Sequence, residues 1–226
     1  MNRCALVSVN AGWNLLIGAD AESTGAWSPI KVPAACREVF DEAQKDVCFG
    51  REARRYVREH PLAWASLAPR KLAATFDYCG AAPWYLHEAS PAAFPWEAKI
   101  RLAKVETVFE RLVLLGALVW AARRAAPGEG PLRFVRAAVA AVGAVFAFLT
   151  HGWLAYLALL IAGALRVRAD DRSAVLPAAA LLVLAATMLT HAVFFGAGRY
   201  ALVVFPLLTA LAPLCATTRA RTSPGT

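Results

Sequence analysis

The dipeptide Arg199-Tyr200 stands between two apolar runs, residues 174–195 and 200–216. A guanidinium in such a place is costly unless it is paired or faces a cavity. Its planar fork can grip a phosphate through two parallel hydrogen bonds, with the Tyr200 hydroxyl as a second donor. The competing assignment is that Arg199 snorkels to lipid headgroups. Other polar groups have plainer readings. Glu38, Asp41, Glu42 and Asp46 alternate with bases as the solvated face of a helix, His191 bonds a neighbouring helix, and His151 sits in an interfacial turn. Cys36 and Cys48 are the one cysteine pair close in sequence. A continuous helix would hold their Cα atoms roughly 18 Å apart, so a disulfide requires a break between them; the alternative is two unpaired core thiols. No CxxC or Cys/His ligand set is present, so no structural zinc site is expected.

The frame for these residues follows from composition. Of the 226 residues, 59% are hydrophobic, against roughly 45–50% in ordinary soluble domains. Residues 1–104 hold 13 Lys and Arg against 11 Asp and Glu, while 105–226 hold 11 Arg, no Lys and five acids. Most of the net charge of +8 therefore lies at the ends of apolar runs, where it would meet anionic headgroups. It forms no basic stripe of the kind that binds nucleic acid. Arginine collects in every other break: 123, 124, 133 and 136, then 166, 168 and 172, then 219 and 221. By the positive-inside rule these breaks are cytoplasmic, which leaves residues 1–104 and Arg199 outside.

Four or five spans are expected. The first, 105–122, has a polar outer turn in Glu106, Glu110 and Arg111, and its alternative is an interfacial amphipathic helix. Without it, the amino-terminal region would move to the arginine-rich side. Residues 137–165 are too long for one span and short for two; they read as a tight hairpin turning at Thr150, His151 and Gly152. Residues 174–195 span without help, and 200–216 contain Pro206 and Pro213. The expected fold class is mainly α: a polytopic α-helical protein of the plasma (inner) membrane. It has an extracytoplasmic helical and loop segment (1–104), a transmembrane bundle (105–217) and a cytoplasmic tail (218–226). Arg3 is followed by no apolar h-region, so no signal peptide is visible. A chain that starts outside needs either an upstream span or an unusual insertion route, and the expectation is the carboxy-terminal part of something longer.

Within 1–104, apolar positions from Val39 to Val57 recur at helical spacing, giving a helix or a pair broken near Gly50. His60-Pro61 starts the next helix, which is interrupted near Pro69. Trp84, Tyr85, Phe94 and Trp96, among prolines, read as an irregular aromatic loop at the bilayer surface.

Residues 10–25 carry a more specific pattern. Asn10, Gly12, Asn14, Leu15, Gly18, Thr24 and Gly25 match a motif from an extracytoplasmic loop of bacterial membrane glycosyltransferases, while Ala19, Asp20 and Ala21 depart from its Asn-Asn-Pro. Ala53, Tyr56, His60-Pro61 and Lys71-Leu72 follow in order, and His191, Arg199-Tyr200 and Pro206 resemble the last membrane pair. The chain thus resembles family 39, the dolichyl-phosphate-mannose protein mannosyltransferase type of the GT-C superfamily. The resemblance implies transfer of a sugar from a polyprenyl-phosphate carrier to an outer acceptor. It implies the carrier phosphate as the ligand of Arg199 and Tyr200, and Asn10, Gly12, Asn14 and Gly18 as loop-motif residues. The family's catalytic aspartate lies in a first loop that this sequence does not contain, so no catalytic residue is assigned. Asp20 and Glu22 belong to a different loop. The expectation is a chain inactive alone, whose partners are membrane lipid, lipid-linked sugar and a separate amino-terminal catalytic half. A non-catalytic accessory or assembly subunit is the alternative. No cofactor is assigned, and the resemblance leaves a divalent metal open.

Overall fold

Asp41 accepts a hydrogen bond from the Gln44 N–H at 2.9 Å, and this side-chain cap starts the helix Glu42–Glu59. Such local signals shape much of the chain. The computed structural model describes residues 10–20, 22–123, 130–167 and 174–216, which are mainly helical with no strand among them. Two compact units form. One takes in the described residues up to Lys104 together with Ala185–Leu202; the second takes in Val105–Leu184 and the described residues from Val203 onward.

The first unit contains α1 (Ala11–Ala19), a 3-10 turn (Ala34–Cys36), α2 (Glu42–Glu59), α3 (Pro61–Ala65), α4 (Ala68–Phe76) and α5 (Ala81–Ala89). It also holds the start of α6 (Trp96–Ala122) and the end of α9 (Val175–Val193). The 10–25 motif is helical over most of its length rather than a loop. α2 runs unbroken through Gly50, which admits the backbone of Gly12, whose Cα lies 3.3 Å from where a Gly50 Cβ would sit. Pro61 and Pro69 each fall in a first helical turn, where a missing N–H costs little. The expected aromatic loop is ordered instead: Trp84 and Tyr85 lie on α5, and Trp96 opens α6.

The break between Cys36 and Cys48 falls at residues 37–41, before α2. It brings their Cα atoms to 5.8 Å and the two sulfurs are bonded. Both half-cystines are buried with Phe49, and Leu16, Ile30 and Val32 pack around them. The disulfide ties the chain before α2 to its second turn.

In the second unit, α7 (Leu132–Ala147) and α8 (Trp153–Ala164) form the hairpin, turning at 148–152. Gly143 admits Ala158 and Leu118 to its backbone, which sets the close approach of the arms. The last apolar run is not one helix. It becomes a 3-10 turn (Gly198–Val203), α10 (Phe205–Leu211) and a second 3-10 turn (Ala212–Cys215), because Pro206 and Pro213 each remove a helical donor. Among the described residues one helix, Val175–Val193, is long and apolar enough to cross a membrane; Trp153–Ala164 and Phe205–Cys215 are shorter apolar helices.

Two of the arginines at the breaks meet the end of α6. Arg136 is buried, and it donates to the Arg123 carbonyl at 2.7 Å just beyond the end of α6. Arg166 donates to the same oxygen and covers the Trp120 ring at 4.9 Å. A helix C-terminus carries unsatisfied carbonyls and partial negative charge, so cations collect there. Arg124, Arg168, Arg172, Arg219 and Arg221 lie outside the described residues.

Replacing Cys36 and Cys48 with serine should lower unfolding stability by about 2–4 kcal/mol. Denaturant unfolding of the purified chain with and without reductant measures this. A variant as stable as the oxidised wild type would show that the bond contributes nothing.

Candidate functional site

The end of α9 lies inside the first unit, and its last two carbonyls share one partner. Lys71 of α4 is fully buried and donates from Nζ to the Ala192 and Val193 carbonyls at 3.2 and 3.0 Å. His191 Nδ1 lies 2.8 Å from the Phe195 carbonyl, so that nitrogen carries the proton. The Lys71 ammonium also sits over the Trp64 ring, 5.3 Å from its centroid. Desolvation lowers the Lys71 pKa to about 8. The negative end of α9 favours the cation, but burial outweighs it. A neutral amine keeps two N–H donors, enough for both carbonyls.

Three motif glycines explain themselves against this frame. A Cβ on Gly18 would lie 2.7 Å from the Phe194 carbonyl oxygen, and one on Gly12 would overlap the Asp46 carbonyl of α2. Gly25 has φ +92 and lies against the Arg70 and Lys71 backbone. Its carbonyl accepts the Gly196 N–H at 2.7 Å, and Ala26 pairs with Gly196 as an isolated parallel bridge. Gly12 and Gly18 therefore serve backbone approach rather than a ligand.

The pairing sets the segment after α9 beside an open cleft of about 490 Å³. One wall is the first turn of α1, with Asn10, Trp13 and Asn14; another is a single face of α2, with Glu42, Lys45, Asp46 and Phe49. Those α2 positions recur at i, i+3, i+4 and i+7, the spacing of one helical stripe. Phe195, Arg199 and Tyr200 form the third wall, and Trp27 the rim after the Ala26 bridge. The two helices are locked together at the cleft. Asn10 makes no side-chain cap, and Asp46 Oδ1 takes its place by accepting the Trp13 N–H at 2.8 Å.

Arg199 is exposed and held at both ends of its fork. One terminal nitrogen donates to the Tyr85 hydroxyl at 2.8 Å and the other to the Tyr200 hydroxyl at 3.0 Å. Those bonds, Tyr200 first and Tyr85 second, raise its pKa above the ordinary arginine value. Tyr200 is itself stacked on His191 at 4.1 Å between centroids. Among the described residues no carboxylate lies within ion-pair distance of Arg199. The arrangement presents a positioned guanidinium to a cleft whose lining also carries Lys45, Glu42 and Asp46.

Asn10, Asn14, Arg199 and Tyr200, singled out from sequence, line the same cleft, whereas Gly12 and Gly18 do not. Asp20 and Glu22 close a local turn instead: Asp20 accepts the Glu22 N–H at 3.0 Å, and Glu22 pairs with Lys31 at 3.3 Å. Asp46 is no part of a merely solvated face, and His191 bonds its own following turn rather than another helix. Sequence reasoning named Lys71 and Tyr85 without these roles and passed over Trp27. The α2 stripe carried a usable signal; the others did not. Among the described residues no group of three or more His, Cys, Asp and Glu side chains can hold a metal ion.

The unfolded chain holds the Lys71 proton up to about pH 10.5 and the folded one only to about pH 8. Between those values the unfolded state binds more protons, so stability rises with pH. Measured against Lys71→Met, wild-type stability should climb by about 3 kcal/mol across that window. A difference that stays flat by denaturant unfolding would contradict the burial of the charge.

A scan of protein-family models and searches of curated proteins and of solved structures find no match to this chain.

Proposed function

We propose that the cleft receives the phosphate of a polyprenyl-phosphate sugar and that the chain serves transfer of that sugar in a membrane glycosyltransferase. The observation that carries this reading is Arg199, fixed by Tyr85 and Tyr200 at 2.8 and 3.0 Å, without a carboxylate partner among the described residues. A guanidinium so held has N–H groups left for an anion and loses little side-chain entropy on binding it. Lys45 on the α2 wall adds a second cation. The motif residues Asn10 and Asn14 border the same space. In this proposal α9 spans the membrane, its Arg199 end lies on the extracytoplasmic side, and further apolar helices complete a multi-pass bundle.

Binding of polyprenyl phosphate by the purified chain in detergent tests the reading, with polyprenol as the uncharged control. Arg199→Ala should weaken binding about 10- to 100-fold, the worth of a charge-assisted hydrogen-bonded contact. Arg199→Lys should recover part of the loss, because it keeps the charge without the fork. Tyr85→Phe should cost less than either. Equal affinity for the phosphate and the alcohol in wild type would sink the proposal.

A further inference from the structure

An anion needs cations and N–H donors, yet five of the eleven residues around the cleft, Trp13, Trp27, Phe49, Phe195 and Tyr200, are aromatic. Two of them are left wet. Trp13 is 39% exposed and Trp27 58%. Neither backbone is free to move its ring away. Trp13 is tied to α2 through the Asp46 carboxylate, and its ring meets Phe49 edge-on at 5.2 Å. Trp27 follows directly on the Ala26 bridge to Gly196, and Arg199 lies three residues beyond that glycine. Beside these rings stand Asn10, Asn14 and Glu42.

A ligand that suits this wall has an apolar face for an indole and a rim of hydroxyls for planar amides and a carboxylate. A pyranose ring has both: its axial C–H bonds present a weakly positive face to the negative face of an aromatic ring. Its neighbouring hydroxyls can donate to Glu42 and both donate to and accept from the asparagines. A polyprenyl tail fits poorly, since it would strip water from Asn14 and Glu42 without replacing their hydrogen bonds. We infer that Trp27, with Trp13, is the stacking platform for the sugar ring of the ligand whose phosphate Arg199 holds, and that Asn14 and Glu42 bind its hydroxyls. The inference rests on the phosphate reading above and assigns the ring-recognising residues.

The test is competition against polyprenyl phosphate on the full chain in detergent, where no bilayer is present for a tryptophan to anchor. The competitors are the 1-phosphates of glucose, galactose and mannose, with glycerol phosphate as the ringless control. At least one pyranose phosphate should compete about 10-fold better than glycerol phosphate. Trp27→Ala should abolish that preference, Trp27→Phe should keep part of it, and Asn14→Leu should reduce it. Glycerol phosphate should compete equally in all of them. A wild type without pyranose preference overturns the platform and leaves the Arg199 reading standing. A Trp27→Ala variant that loses glycerol phosphate equally also overturns it, because Trp27 would then only shape the cleft. Failure of wild type to bind polyprenyl phosphate overturns the phosphate reading, and this inference with it.

Discussion

The carbonyl end of α9 is inside the first unit, and the arrangement around it depends on how those oxygens are satisfied. A helix end leaves several carbonyls without partners, and burying them unpaired is expensive. Lys71 answers two of them with one side chain, 121 and 122 residues distant in sequence. Because Nζ must reach the helix end, α4 is drawn against it, and the Gly25 loop and Gly196 then pack on the Lys71 backbone. Arg199 and Tyr200 follow within a few residues, so the cleft inherits its geometry from a buried amine that does not line it.

Glycine makes the same arrangement possible. Gly12, Gly18, Gly25 and Gly196 each bring a backbone closer to another backbone than any side chain would allow. Where a motif repeats glycine among asparagines, the natural reading is a ligand-binding loop. Here the two residue types divide the work: the glycines let α1 lie against α2 and the end of α9, and the asparagines then face the cleft. Asp46 completes the division by capping α1 from outside, so the Asn10 side chain is not used as the cap.

Charge is used twice in a similar way. Arg136 and Arg166 meet the carbonyl beyond α6, and Lys71 meets those of α9. The hydropathy pattern of the arginines and their role as helix-end partners do not conflict, because a cation at the end of an apolar helix is stabilised by the helix as well as by headgroups. Arg199 differs in having phenols as partners and in lining the cleft.

The sequence by itself determined the mainly helical character, the hairpin turn at residues 150–152, the prolines that start α3 and α4, and the long apolar α9. These are local matters of periodicity, proline geometry and capping, which neighbouring residues settle among themselves. It also singled out Arg199, since a lone cation between apolar runs is visible without a fold. Only the tertiary structure decided that α2 runs through Gly50, that Cys36 meets Cys48, that Asp46 caps α1 and that Tyr85 steadies Arg199. Tyr85 and Arg199 are 114 residues apart, and each looks locally like an interfacial residue. Their partnership comes into being only when the end of α9 finds Lys71, because hydrogen bonds between distant groups are set by packing and leave no period in the chain.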